Sequence, residues 1–204
     1  KNQITSGPWE VTEFYGYDPE SERLFYQSTE EGSINRAIYS IGLNGKGKKK
    51  LSLYKGINEA GFSSSFRYFV NTHSNDETPT RYLLMDAQSG KEIRIIKDNQ
   101  AVAEKLKEYD LSPKEFSTLQ TANGEFNMYL IKPPDFDPQK SYPLLMFQYS
   151  GPGSQRVENR WKNRYRHDYW HHMLAQEGYL IACVDGRGTG FKGRDFEKTI
   201  YMEL

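Results

Sequence analysis

Four groups of residues in the 204-residue chain have types and spacings that bear on chemistry. The first is Tyr149-Ser150-Gly151-Pro152-Gly153-Ser154-Gln155, where a phenol closes an apolar run and enters a tight Gly-Pro-Gly turn. In open α/β sheets the chemistry gathers beyond the carboxyl ends of the strands, so a side chain at this position projects into a site. A tyrosine hydroxyl there can donate a hydrogen bond to an oxygen that becomes negative during acyl transfer. The plainer alternative is a strand-end tyrosine that packs its ring and leaves its hydroxyl in water. The second group is Asp185-Gly186-Arg187-Gly188-Thr189-Gly190, directly after another apolar run. Its glycines permit positive φ and close backbone approach, yet Gly-x-Gly-x-Gly matches neither a P-loop nor the dinucleotide fingerprint. A structural loop is expected, with Arg187 tying neighbouring segments by charge-assisted bonds. The third group is His167, His171 and His172. The first two share a helical face as a two-histidine metal pair would, but no third ligand stands nearby. Tyr165, Tyr169 and Met173 form an apolar stripe at the same spacing, so a partly exposed helix is expected and no metal site. The fourth is Cys183, a single cysteine inside an apolar run, expected as a buried small hydrophobe rather than a catalytic thiol. A Gly-x-Ser-x-Gly nucleophile elbow occurs nowhere in the chain.

The composition narrows the classes. With 27 basic against 27 acidic side chains the chain has no net field to attract nucleic acid or an anionic membrane. The basic positions Arg160, Lys162, Arg164 and Arg166 alternate by two, and with Gly45–Lys50 are expected as solvated surface, the alternative being a local anion site. The longest apolar runs, Pro143–Phe147 and Tyr179–Val184, fall far short of the ~20 residues that cross a bilayer, and Lys1-Asn2-Gln3 opens no signal-peptide pattern. A soluble chain is expected. Apolar content is only 36%, but 15 Tyr, 11 Phe and 3 Trp can bury about 150–250 Å² each, enough for a strand-rich core.

The elements that must position these residues fall into two parts. Alternating runs cut by turns mark strands at Trp9–Tyr17, Arg23–Ser28, Ala37–Leu43, Phe66–Thr72 and Arg81–Met85. Arg23–Thr29 recurs in kind as Arg67–His73, a shift of 44, and the hairpin through Asn44-Gly45-Lys46 is answered by Ser89-Gly90-Lys91 and a return strand Ile93–Ile96. Repeats of about 40–50 residues with four short strands each are the signature of β-propeller blades. Two unrelated look-alike hairpins are the alternative. Beyond Asp98, Asn99–Tyr109 has the composition and spacing of a helix, with Val102, Leu106 and Tyr109 in phase. Strands Glu115–Thr121 and Glu125–Lys132 flank Ala122-Asn123-Gly124, a strong hairpin signal, and Pro133-Pro134 stops the second. Apolar strand Tyr142–Tyr149, a helix near Arg164–Gln176, Gly178 as its stop and apolar strand Tyr179–Val184 imply a parallel pair buried on both faces. The chain therefore reads as β-rich repeats followed by the opening of an α/β sheet.

The run Tyr142–Gln155 resembles the first sheet strands of the dipeptidyl peptidase IV group within the prolyl oligopeptidase family, and Asp185-Gly186-Arg187-Gly188-Thr189-Gly190 resembles the Asp-Gly-Arg-Gly-Ser-Gly loop of that group. Trp9-Glu10-Val11 and the repeats behind it resemble the end of its propeller. Thr189 replaces the commoner Ser, and Gly153 stands where other members carry Cys or Asn. The resemblance implies β-propeller blades of antiparallel β followed by the N-terminal part of an α/β-hydrolase domain, incomplete at both ends. Residues 1–98 would be the last blades, 99–114 a linker helix and 115–204 the start of the peptidase domain. The implied activity is that of a serine exopeptidase releasing N-terminal X-Pro or X-Ala dipeptides by acyl-enzyme hydrolysis. Tyr149 matches the oxyanion tyrosine and is the implied catalytic residue of this chain, with no cofactor and no metal. The nucleophilic Ser, the Asp and the His are expected beyond Leu204 and the acidic pair that holds the substrate amine before Lys1, so the segment alone is expected to be inactive. The implied partners are peptides with Pro or Ala second from the N-terminus, without nucleic acid or a membrane segment in this chain, and a second copy of the parent enzyme in a homodimer. The implied location is the periplasm or cell envelope of a bacterium. Two alternatives stand: a non-catalytic propeller–hydrolase scaffold or binding protein, and a free-standing β-repeat module with a small α/β cap, which would leave the parallel strands with too few neighbours.

Overall fold

The computed structural model describes residues 2–161 and 167–202. Lys162, Arg164, Tyr165 and Arg166 of the sequence reading lie outside the described residues, as does the side chain of His167. The first half of the chain forms two four-stranded antiparallel meanders. Strands β1 (Val11–Asp18), β2 (Arg23–Ser28), β3 (Ala37–Gly42) and β4 (Lys49–Lys50) pair in that order, as do β5 (Ile57–Phe62), β6 (Tyr68–Ser74), β7 (Arg81–Asp86) and β8 (Glu92–Lys97).

The repeat seen in the sequence is real at the level of single hydrogen bonds. Strands β3 and β7 begin 44 residues apart. Gly45 and Gly90 take left-handed φ of 73° and 71° in the turns that follow. Gly42 N–H donates to Lys46 O at 3.0 Å and Asp86 N–H to Lys91 O at 2.9 Å, so corresponding glycine turns close both hairpins, the second one residue longer. The expected strands coincide with β1, β2, β3, β6 and β7, and Ile93–Ile96 with β8. The return strand after Gly45 shrinks to two residues, and β5 has no counterpart in the sequence reading because Asn58, Glu59 and Gly61 break its alternation.

The two sheets face each other across one core. Phe25, Ile38 and Leu51 of the first pack against Phe69, Leu83, Met85 and Ala87 of the second, with Tyr15, Phe62 and Phe66 closing the edge. The phenylalanine rings interlock at centroid distances of 4.9 Å (Phe25–Phe62) and 5.0 Å (Phe62–Phe69), where aromatic pairs contribute beyond their buried area. The other face of the first sheet is covered by the N-terminal segment, where Trp9 stacks on Tyr26 at 6.4 Å.

Helix α1 (Gln100–Leu106) is shorter than the expected Asn99–Tyr109: Asn99 sits outside it in the left-handed region at φ 56°, and the N–H groups of Lys107, Glu108 and Tyr109 bond three residues back rather than four. The second part is a mixed four-stranded sheet made of β9 (Glu115–Thr121), β10 (Gly124–Ile131), β11 (Leu144–Phe147) and β12 (Leu180–Val184), in spatial order β11-β12-β10-β9. Strands β11 and β12 are parallel, Leu144 opposite Leu180 and Phe147 opposite Cys183, as expected. The expectation that this pair is buried on both faces is corrected: β12 is buried, whereas Leu144 and Met146 of β11 are 57% and 51% exposed. A parallel strand is sealed on both sides only where both faces have a cover, and among the described residues only the face of Leu145 and Phe147 has one.

Helix α2 (His167–Gln176) ends at Gly178, whose φ of 87° lets Tyr179 N–H reach back to Leu174 O at 3.0 Å. The helix is partly exposed, as expected. Tyr169 and Met173 face outward, 39% and 49% exposed, while Asp168, His171, His172 and Ala175 are buried. The buried face mixes polar and apolar groups: Ala175 and Leu174 pack with Ile131, Val157 and Ile181, Asp168 lies 3.6 Å from the Lys114 ammonium and the His171 ring packs on Phe147 at 5.0 Å. A short helix α3 (Arg194–Glu197) follows β12.

The turn at Asp86 offers a direct test of the repeat's local chemistry. Its carboxylate accepts the Ser89 hydroxyl at 2.6 Å and Ser89 N–H at 2.7 Å, and these bonds hold its pKa below the ordinary 3.8. A depressed folded pKa contributes stability that is present above the ordinary value and lost as pH falls through the folded one. Asp86→Asn is expected to cost about 1 kcal/mol at neutral pH, solvent screening keeping the loss small. In urea titrations the gap to the unsubstituted chain should close as pH drops below 3.8. A gap independent of pH would show that the charge contributes nothing.

Candidate active site at the junction of the two parts

Tyr149 stands two residues beyond the end of β11, and its side chain is 55% exposed. Its ring lies across Gly151, where a Cβ would come within 3.1 Å of the Tyr149 Cε1 atom, so the glycine is the floor on which the ring rests. On another side the Arg156 guanidinium sits 4.7 Å from the ring centroid. The ring therefore packs on one edge and the phenol is open to solvent, on a loop between the two parts.

That loop is fastened in three directions. Gly153 N–H donates to Gly188 O and Gly190 N–H to Ser154 O, each at 3.0 Å, so the Gly-Pro-Gly turn and the Asp185–Gly190 loop join backbone to backbone. The approach is so close that a Cβ on Gly190 would meet Gly153 O at 2.9 Å. The Asp185 carboxylate accepts the consecutive N–H groups of Arg156 and Val157 at 2.8 and 3.0 Å. Gln155 reaches the first meander: Arg36 Nη2 donates to its Oε1 at 2.6 Å and its Nε2 donates to Ser33 O at 2.9 Å. Asn159 extends the seam, donating its N–H to Ile34 O at 2.9 Å and its Nδ2 to Asn35 at 3.0 Å, and accepting Asp76 N–H at 3.1 Å.

The role expected of Arg187 is corrected. Arg187 is exposed and the tie is made by Asp185, which burial pushes above the usual carboxylate range while the two backbone N–H bonds and the Arg156 charge pull it back. A buried acceptor fits here because two orphan N–H groups of a loop need one. Asp185, Gln155, Asn159 and Arg36 were missed by sequence reasoning. Only Asp185 and Gln155 carried a signal, each standing inside a motif already marked.

Other marked residues carry no chemistry of this kind. Ser154 and Thr189 donate their hydroxyls to backbone carbonyls, and Ser150 Oγ accepts from Gln148, the pattern of structural loops. Of the histidines, His171 and His172 are buried in α2, and His73 is lowered by burial between Lys55 O and Arg81. Among the described residues no three His, Cys, Asp or Glu side chains are grouped so as to hold a metal ion, and no helix is long and apolar enough to cross a membrane. Lys114, only 7% exposed, reaches Asp76 at 3.9 Å and Asp168 at 3.6 Å, joining the second meander to α2 through the linker.

Cys183 is fully buried beside Tyr129, and burial pushes its thiol up to about 12, far from the thiolate that reacts. It should resist iodoacetamide at pH 8 in the folded protein and alkylate within minutes in urea, read by mass spectrometry. Rapid alkylation without denaturant would contradict the buried placement.

Residues 1–80 match the family described as the dipeptidyl peptidase IV (DPP IV) N-terminal region. Dipeptidyl peptidase 4 of Arthroderma otae is 33% identical over 206 residues, covering 98% of this chain and 26% of that one. Dipeptidyl peptidase 4 of Trichophyton rubrum is 32% identical over 210 residues, covering 98% of this chain and 27% of that one. The crystal structure of Porphyromonas gingivalis dipeptidyl peptidase 4 superposes with a TM-score of 0.93 at 47% identity, covering all of this chain and 28% of that one. The chain thus spans about a quarter of the length of these relatives.

Proposed function

We propose that the chain, similar to dipeptidyl peptidase 4 over its whole length and to that family's N-terminal region over residues 1–80, is part of a serine exopeptidase that releases dipeptides from peptide N-termini, and that Tyr149 is its oxyanion donor. In this reading residues 1–98 are blades, 99–114 a linker and 115–204 the opening of an α/β-hydrolase domain, and the Ser, Asp and His of the triad come from chain outside these 204 residues. The serine hydroxyl adds to the scissile carbonyl, and the oxygen that becomes negative receives the Tyr149 O–H alongside a backbone N–H. The observation that carries the reading is the exposed phenol beyond the end of a parallel strand, on a loop held by Asp185, Gly188 and Gln155. A donor whose backbone is already fixed stabilises developing charge without reorganising when the charge appears.

The same reading takes peptides with Pro or Ala in second position as substrates, places the enzyme in the periplasm or cell envelope and makes it a homodimer. The likeness to a bacterial dipeptidyl peptidase 4 supports peptides as the substrate class and a location outside the cytoplasm.

In the full-length protein, Tyr149→Phe should lower kcat on a dipeptide–chromophore substrate by roughly 10²–10³ with KM nearly unchanged, since one transition-state donor is lost. The 204-residue chain alone should hydrolyse none of it. An unchanged kcat would remove Tyr149 from the mechanism.

A further inference from the structure

We propose that Arg156 is a positioning residue for Tyr149, its guanidinium clamping the phenol ring against Gly151 so that the hydroxyl is presented in one orientation. This inference rests on the reading of Tyr149 as the oxyanion donor. The geometry has three parts. The Arg156 Cζ lies 4.7 Å from the Tyr149 ring centroid, inside the ~6 Å over which a cation is held by an aromatic face. The ring also borders Gly151, whose missing Cβ would stand 3.1 Å from the Tyr149 Cε1 atom, so a bare backbone lies along the ring edge. The Arg156 backbone is itself pinned, because its N–H donates to the Asp185 carboxylate at 2.8 Å and the next N–H to the other oxygen of the same group at 3.0 Å. The side chain is half-buried, so the guanidinium is partly removed from water and its attraction for the ring is stronger than at a free surface.

The order of dependence is therefore Asp185 to Arg156 to Tyr149. Asp185 ends an apolar strand of the sheet, so the rigid element fixes the carboxylate, the carboxylate fixes the loop, and the loop's cation fixes the ring. The Asp185 carboxylate also feels the Arg156 charge, which pulls its pKa down against burial. Guanidinium suits this place better than ammonium because its plane can lie along the ring. Arg156 touches neither the scissile bond nor the oxyanion in this scheme. It acts through the ring.

The test is a double-mutant cycle in the full-length protein with the dipeptide–chromophore substrate. Arg156→Met keeps the aliphatic stem and removes the charge; Arg156→Gln serves the same purpose should the Met variant fail to fold, which thermal melting reports. The expected result is a fall in kcat of about ten-fold with KM within about two-fold, the size of one partly buried cation–ring contact. In a Tyr149→Phe background the same substitution should change kcat by less than about two-fold, because the hydroxyl it aims is gone. Arg156→Lys should recover part of the loss. Equal losses in both backgrounds, or no loss in either, would overturn the role of Arg156 while leaving Tyr149 in place. A Tyr149→Phe variant with unchanged kcat would overturn the donor reading itself, and the clamp with it.

Discussion

A carboxylate buried at the end of β12 governs the geometry of everything around the candidate site. Asp185 is 2% exposed, and a charge taken that far out of water costs several kcal/mol unless it is bonded. Two consecutive backbone N–H groups offset that cost, at about 1.5–3 kcal/mol for each charge-assisted bond, and they belong to the loop that bears Arg156 and Gln155. The arrangement satisfies donors that would otherwise be stranded where a loop crosses the edge of a sheet. Gln155, held in register by this carboxylate, carries the connection onward to Ser33 and Arg36 of the first meander. One buried acceptor thus couples the α/β sheet, the tyrosine loop and the first blade.

How much of this was legible depends on whether the determining contacts are local. The repeat was readable because its hairpins close through bonds three to five residues long, and Gly45 and Gly90 announce the left-handed turns they adopt. The parallel pair was readable because two apolar runs flanking a helix permit little else. The seam was not readable. Arg36 and Gln155 are 119 residues apart, and neither belongs to a periodic pattern that pairs them. The Arg187 expectation failed for a related reason: a charged side chain in a glycine loop suggests a tie, but the loop lies at the surface there and the shorter, rigid Asp185 at its start is the group that faces inward.

Helix α2 shows the limit of apolar periodicity. Tyr169 and Met173 are spaced as a buried stripe would be, and they point outward. The face that is buried carries Asp168, His171 and His172, because what lies beneath it includes the Lys114 ammonium and the Phe147 ring. A hydrophobic stripe alone does not fix the inward face, because Ala175 and Leu174 supply apolar contact to the core from the face that also carries Asp168 and the histidines. Here the linker delivers a lysine that is 7% exposed, and a buried ammonium selects the helix face with a carboxylate at the cost of apolar residues left outside.

The Gly-Pro-Gly segment takes on a different meaning in this setting. As sequence it is a turn; in the structure its first glycine is a surface against which a ring lies, and a methyl group there would press on that ring. Ordering a tyrosine side chain costs about 1 kcal/mol of rotamer entropy whenever it happens. If the ring wandered freely, that cost would fall at the moment charge appears on the substrate and would be added to the barrier. With Gly151 at its edge, Arg156 near its ring and the backbone tied to Asp185, much of that cost is met when the chain folds, and in the proposed role of Tyr149 the hydroxyl would enter the reaction already placed.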